Sequence, residues 1–169
     1  SNMGKTYCEL EIYSLALKNF KQAASLYNEE DHLQELAGIY NSIGHTYACM
    51  QEDYQAMQYF NDVLDLPDDK LPESTRAMTY SYIGDVFSTR GDLTLSQEHF
   101  NTAAKMLDQA HFHHALAGSY MNMAEVYSRQ NDQENAVFYT NAAIAIAREY
   151  ELQEILADCY RLLAKLYAR

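Results

Sequence analysis

The sequence predicts an all-α protein made of repeated helix pairs, and three observations support this prediction. The 169-residue chain aligns with itself at a shift of forty residues. Within each aligned block the apolar residues are spaced by three and four, as on a helix that buries one face. The chain contains only two Pro and six Gly, which leaves few turn residues for the many hairpins of an all-β protein.

The forty-residue register is clearest on the first helix of each pair, which we name helix A. One column of the alignment holds a tyrosine in every unit: Tyr40, Tyr80, Tyr120 and Tyr160. The column four places later holds small residues: Gly44, Gly84, Ala124 and Ala164. On the second helix, helix B, the aligned residues are Ala56, Ser96 and Ala136, followed by Phe60, Phe100 and Thr140. The small column predicts that helices A and B cross there so closely that a larger side chain would push them apart.

The elements follow in order along the chain. Helix A is predicted at 32–50, 73–90, 113–130 and 152–168, and helix B at 53–66, 93–110 and 133–149. Residues 13–28 are predicted to form a first helix B, after a short helix A that ends in a turn near Leu10 and Glu11. We therefore expect a single array over residues 3–169, with a partial repeat at 3–31, repeats at 32–71, 72–111 and 112–151, and a final helix A at 152–169.

These columns resemble the tetratricopeptide repeat family. Its pattern is an aromatic residue, Leu-Gly and Tyr on helix A, a Gly-Asp turn, and then Ala, Phe or Tyr, and Ala on helix B. The residues that fit this spacing without insertion are Gly84, Phe87, Gly91, Asp92, Ser96, Phe100 and Ala103. The usual repeat has about 34 residues, and the forty-residue unit is similar to the long-helix variety found in kinesin light chain and in bacterial signalling proteins. The resemblance implies a right-handed α-α superhelix of tandem helix-turn-helix repeats, in which helix A lines a concave groove that binds peptides or partner proteins.

The acidic composition bears on the partners of the chain. The formal net charge is −12 and the isoelectric point about 4.7, so the surface repels the phosphates of nucleic acids and anionic lipids. We therefore expect binding to neither nucleic acid nor membrane. The three cysteines, Cys8, Cys49 and Cys159, are widely spaced and odd in number, which favours reduced thiols in a cytoplasmic protein.

The stretches that invite a catalytic interpretation lack the residues their chemistry requires. Gly4-Lys5-Thr6 matches the end of a phosphate-binding loop, but the motif needs a further glycine five residues before Gly4. His111, His113 and His114 form the densest group of metal-ligand types, yet no Cys or paired carboxylate in the same repeat completes a site. We therefore predict no enzyme, no catalytic residue, no metal site and no cofactor.

The resemblance implies two rows of groove residues, one and five places after the tyrosine column. The first row is Asn41, Ser81, Met121 and Arg161, and the second row is His45, Asp85, Glu125 and Lys165. The second row changes from a titratable residue through two acidic residues to a basic one. We expect a ligand with positive charge opposite Asp85 and Glu125 and negative charge near Arg161 and Lys165.

The resulting functional hypothesis is a non-enzymatic module that binds a protein or peptide segment. One alternative is the sensory or regulatory arm of a bacterial multidomain kinase or cyclase, and another is a structural dimerisation array. Leu156, Tyr160, Leu163 and Tyr167 would give the last helix A an uncovered apolar flank. We therefore also expect either a longer protein, of which this chain is a fragment, or a homodimer through the exposed ends of the array.

Overall fold

Eight α-helices make up the part of the chain that the computed structural model describes, namely residues 2–27 and 32–168, with side chains for 11–27, 32–67 and 69–168. No strand occurs in this part. The helices are α1 (Asn2–Ala24), α2 (Leu33–Cys49), α3 (Asp53–Leu64), α4 (Glu73–Arg90), α5 (Leu93–Gln109), α6 (His113–Arg129), α7 (Gln133–Glu149) and α8 (Gln153–Tyr167). A short 3-10 helix, Asp68–Lys70, lies between α3 and α4. The predicted all-α fold is confirmed.

The forty-residue period of the sequence recurs in the helix boundaries. The four A helices, α2, α4, α6 and α8, begin at Leu33, Glu73, His113 and Gln153, each forty residues after the one before. The B helices α3, α5 and α7 begin at Asp53, Leu93 and Gln133 with the same spacing. All seven helices lie within two residues of their predicted ends. Each tyrosine of the column therefore occupies the same position in its helix.

At five of the connections between helices, one residue in the left-handed backbone region ends the preceding helix. Gln51, Gly91 and Asn131, with φ of 61°, 85° and 61°, separate helix A from helix B. His111 and Glu151 separate helix B from the next helix A, with φ of 55° and 57°. At Gly91 the amide donates to the carbonyl of Ser88 and the next amide donates to Phe87, which closes the helix end. The repeated turn conformation thus needs no glycine at four of its five positions.

The predicted turn near Leu10 and Glu11 is wrong, because α1 runs without interruption from Asn2 to Ala24. In the other repeats the positions equivalent to Glu11-Ile12 are Gln51-Glu52, Gly91-Asp92 and Asn131-Asp132. Asp92 and Asp132 cap the following helix by accepting a hydrogen bond from the amides of Leu95 and Asn135. Glu11 is a good helix former and Ile12 cannot cap, so nothing in the local sequence stops the helix.

The chain divides into two compact units, Ser1–Tyr82 and Ile83–Arg169. The core of the first unit includes a cluster of Ala37, Val63 and Leu71, against which Leu33, Tyr40 and Leu66 pack. The second unit has one cluster around Ala117, Ala143, Ile144, Ala147, Ile155 and Cys159, and another around Ala124, Ala136, Leu162 and Leu166. The handedness of the array and its division into repeats stay predictions, and the partial repeat at 3–31 lies partly outside the described residues.

The close helix crossing predicted from the small column is present in both units. In the first unit, a Cβ atom added to Gly44 would lie 2.5 Å from Cε1 of Phe60. In the second unit, a Cβ atom added to Gly84 would lie 2.8 Å from Cε1 of Phe100. Both phenylalanines are at most 1% exposed. Each ring therefore fills the space that the missing side chain leaves, and helix B lies directly against the backbone of helix A.

Candidate functional site

In the first unit Asn41, the first residue of the predicted rows, is buried in the protein interior. Asn41 is only 5% exposed, and its Oδ1 accepts a hydrogen bond from Oγ1 of Thr79 at 3.0 Å. Because α2 and α4 are joined through this pair, the amide oxygen of Asn41 contributes to packing between two A helices. Ser81, on α4, is half-buried.

His45, the other row residue of the first unit, lies on the surface of α2. Its ring centre lies 5.0 Å from that of Tyr82 at an interplanar angle of 49°, and its Nδ1 lies 3.9 Å from Sγ of Cys49. Partial loss of hydration lowers the pKa of His45 below its ordinary value. The imidazole is therefore neutral at pH 7, and it offers a ligand an aromatic contact or a hydrogen bond but no positive charge.

In the second unit Asp85 is the most perturbed of the predicted residues. Its carboxylate is half-buried on α4, and Oδ1 accepts a hydrogen bond from Nδ2 of Asn122 on α6 at 3.2 Å. Burial, followed by the nearby negative charge of Glu125, raises the pKa of Asp85 to about 7. No ion pair to Asp85 occurs among the described side chains. The structure thus holds a carboxyl group that changes charge near neutral pH.

The remaining row residues of the second unit lie on α6 and α8. Glu125 is exposed, and half-buried Met121 packs against the cluster around Ala117 and Cys159. Arg161 and Lys165 are both exposed on α8. Nη1 of Arg161 forms an ion pair with Oδ1 of Asp158 at 2.6 Å. The basic end of the row is therefore present, with one of its two cations already paired on its own helix.

Sequence reasoning missed one contact residue in each unit, namely Tyr82 beside His45 in the first unit and Asn122 beside Asp85 in the second. Both belong to the column two places after the tyrosines, which reads Ser42, Tyr82, Asn122 and Leu162. The available signal was the polar Asn122 in a column that ends in a buried leucine. A third helix-A row was therefore visible in the sequence.

A separate surface lies between B helices in each unit. In the first unit an open cleft of about 640 Å³ is lined by Lys21 of α1, Tyr40 of α2 and Tyr59 of α3. In the second unit a cleft of about 330 Å³ is lined by residues that include Lys105, Tyr120, Phe138 and Tyr139. Tyr40 and Tyr120 contact Tyr59 and Tyr139, respectively, with ring centres 5.8 Å apart in both pairs. Two tyrosines of the column, Tyr40 and Tyr120, therefore each contact an equivalent tyrosine on helix B, and these contacts help to pack helix A against helix B.

One family model matches a part of the chain that contains the aligned columns of helices A and B. Residues 75–149 match the family model described as Tetratricopeptide repeat. The matched stretch covers most of α4, all of α5 and α6, and α7 to its last residue. The tetratricopeptide repeat is in general a non-enzymatic repeat that binds proteins or peptides, so the match supports an interaction module. No curated protein matches the chain.

The described part of the chain was also searched for two other kinds of feature. Among residues 2–27 and 32–168, no helix combines the length and apolar character needed to cross a lipid bilayer. Within the described side chains, no group of three His, Cys, Asp or Glu residues is placed to hold a metal ion. His113, from the histidine group of the sequence, stacks on Tyr150 with ring centres 4.1 Å apart. Because Tyr150 is the C-cap of α7, this stack packs the start of α6 against the end of α7.

Proposed function

We propose that this chain is a non-enzymatic module that binds a protein or peptide segment through the exposed surface of its A helices. The observation that carries the proposal is the half-buried Asp85, whose carboxylate has lost hydration and whose one hydrogen-bond partner among the described side chains is the amide of Asn122. Keeping such a group is costly for the folded protein alone. A cationic group on a ligand would offset that cost and would gain a partly dehydrated, hence stronger, ion pair.

The charges around Asp85 define the class of ligand. Glu125 adds a second negative charge on α6, and Arg161 and Lys165 on α8 supply positive charge in the same unit. A segment with a Lys or Arg side chain at Asp85 and an acidic side chain toward α8 would satisfy both groups. Electrostatic matching of this kind gives specificity more than raw affinity.

The pKa of Asp85 links this binding to pH. Below pH 7 the carboxyl group is protonated in the free protein, and a cationic ligand then gains less from it. Above pH 7 the carboxylate is ionised and available. We therefore expect a cationic segment to bind more tightly at pH 8 than at pH 6.

A labelled twelve-residue peptide with a lysine-rich half and a glutamate-rich half is a suitable probe, with fluorescence anisotropy at pH 8 and pH 6 as the measurement. Asp85→Asn should weaken binding at pH 8 by about tenfold, equivalent to about 1.4 kcal/mol, and should remove most of the pH dependence. Glu98→Gln is the matched control, because Glu98 is an exposed carboxylate on a B helix, α5.

The result that would contradict the proposal is equal affinity of wild type and Asp85→Asn. A peptide whose binding is sensitive to Glu98→Gln but not to Asp85→Asn would move the site to the B helices. We also propose a cytoplasmic location, supported by the buried thiol of Cys159, which forms no disulfide among the described residues.

A further inference from the structure

The last helix, α8, exposes the flank that the other A helices bury. Ala157 and Ala164 are exposed, whereas their equivalents on α6, Ala117 and Ala124, are both 0% exposed. Tyr160 and Tyr167 on the same flank are 45% and 70% exposed. On α6 this flank lies beneath its helix B, α7, since Ala117 clusters with Ala143 and Ala124 with Ala136. The flank of α8 is therefore an A-helix surface that no B helix covers within the described part of the chain.

The first helix, α1, has the opposite property. Its residues Ala16, Phe20 and Ala23 occupy the B-helix columns, and all three are only half-buried. The equivalent residues of α3, α5 and α7 are at most 1% exposed: Ala56, Phe60, Val63, Ser96, Phe100, Ala103, Ala136, Thr140 and Ala143. Several of them contact their own helix A, since Phe60 and Phe100 lie against Gly44 and Gly84. Among the described residues, the inner face of α1 is thus a B-helix surface that no helix A of its own repeat covers.

We propose that α1 of one copy of this chain packs against α8 of a second copy and completes the missing helix pair. The repeat register identifies α1 as the segment that covers the α8 flank. α1 carries the residues of the helix-B columns, and the α8 flank is a helix-A surface on which a helix B would pack. If the pair follows the geometry of α6 and α7, Ala23 lies against Ala157, and Ala16 and Phe20 lie against Ala164. Small residues on both sides let the helices approach closely, while Phe20 fills the space between them.

Such a contact is heterologous, because two different surfaces meet. Each dimer keeps one free α8 flank and one free α1 face, so it can add further copies. An interface of one helix pair is small and belongs to the weak, reversible class, so we expect association over roughly 10–500 µM. The inference does not depend on the proposed ligand surface, because that surface is formed by Asp85, Glu125, Arg161 and Lys165 and not by this flank of α8.

The test is sedimentation velocity over that concentration range, with circular dichroism to confirm that each variant is folded. The wild-type chain should pass from its mass of 19.4 kDa to dimers and higher species as concentration rises. Ala164→Glu blocks the α8 flank and Ala16→Glu blocks the α1 face, so each variant alone should stay monomeric. Ala145→Glu, an exposed site on the outer side of α7, introduces the same charge and should associate like wild type.

Mixing the two blocked variants gives the decisive measurement. Ala164→Glu retains an intact α1 face and Ala16→Glu retains an intact α8 flank, so an equimolar mixture should form dimers that do not grow further. A wild-type chain that stays monomeric throughout would overturn the proposal. So would a mixture that stays monomeric, or a loss of association in Ala164→Glu alone, which would indicate a symmetric contact between two α8 helices.

Discussion

Gly84 illustrates how much a single missing side chain contributes to this fold. A Cβ atom at this position would lie 2.8 and 2.9 Å from Cε1 and Cδ1 of Phe100, which is itself buried. We expect Gly84→Leu to lower the free energy of unfolding by about 1–3 kcal/mol or more, because the branched side chain forces α4 and α5 apart. Urea denaturation followed by circular dichroism measures the change.

Gly118→Leu is the matched control for that prediction, since nothing lies within 4 Å of a Cβ atom added to Gly118 on α6. There the substitution should be neutral or stabilising, because leucine favours a helix interior more than glycine does. Equal destabilisation at both sites would show that helix packing at Gly84 is not the cause.

Asp85 is the residue whose protonation changes within the physiological pH range. Its pKa in the folded protein is about 7, against 3.8 as the ordinary value. The folded state therefore binds this proton more tightly than the unfolded state, so the penalty is complete above pH 7 and disappears as the pH falls toward 4. At pH 8 we expect Asp85→Asn to raise the free energy of unfolding by about 1–3 kcal/mol, allowing for partial exposure.

Urea denaturation at pH 8, 6 and 4.5 tests this prediction, and the advantage of Asp85→Asn should shrink at each step. Glu125→Gln serves as the comparison, because Glu125 is exposed and its removal should matter less. A stability difference that grows as the pH falls would contradict the assigned pKa. Together with the peptide experiment, these measurements separate the cost of Asp85 to stability from its role in binding.

At the scale of helix pairs, the crossing of α6 and α7 uses a different combination of side chains. Gly44 and Gly84 face Phe60 and Phe100, whereas the third repeat has Ala124 and Thr140 in the same columns, both 0% exposed. We predict that Thr140→Phe alone destabilises the protein by about 1–3 kcal/mol through overpacking. Adding Ala124→Gly should recover part of this loss, with a coupling energy of about 0.5–3 kcal/mol.

A double-mutant cycle in urea measures this coupling. Pairing Thr140→Phe with Gly118→Ala provides the control, because Gly118 lies on the same helix and has open space around it. Additive effects in the first pair would mean that the two columns do not meet in the third repeat.

The helices were predictable to within two residues because two independent signals agree, namely apolar spacing and the forty-residue register. The continuous α1 was not, because extending the register assumed a turn where Glu11 and Ile12 provide neither a left-handed residue nor a cap. The turns at Gln51 and Glu151 show the converse. Their left-handed backbone follows from the packing of neighbouring helices, since neither residue type favours it.

For the molecule as a whole, the excess of 12 negative charges is the dominant electrostatic feature. Mutual repulsion among these groups destabilises the compact state, and salt screens it over a Debye length of about 10 Å at 0.1 M. We expect the Tm at pH 8 to rise between 20 and 300 mM NaCl. The triple variant Glu98→Gln, Glu134→Gln, Glu154→Gln reduces the net charge from −12 to −9, so its Tm should depend less on salt. An equal dependence would point to an effect of salt on hydration instead.

The charged rows of the candidate surface stay a prediction from the sequence, and the sequence could not tell which of their members are exposed. Asn41 on α2 and Asp85 on α4 belong to the two predicted groove rows. Asn41 is buried against Thr79, whereas Asp85 is half-buried beside Asn122. The difference depends on the residue that faces each of them from the next A helix. The residues of each pair are 38 and 37 positions apart in the sequence, so no single column carries the information.

The paired residues at the helix crossing also constrain the order in which substitutions can accumulate at these two positions during evolution. From a repeat with alanine and threonine, a first step to phenylalanine passes through an overpacked and poorly folded intermediate. A first step to glycine costs only about 0.5–1 kcal/mol of backbone entropy and opens room for the ring. The order of the two substitutions is therefore constrained, and the third repeat, with Ala124 and Thr140, can reach the arrangement of the other two only by the glycine route.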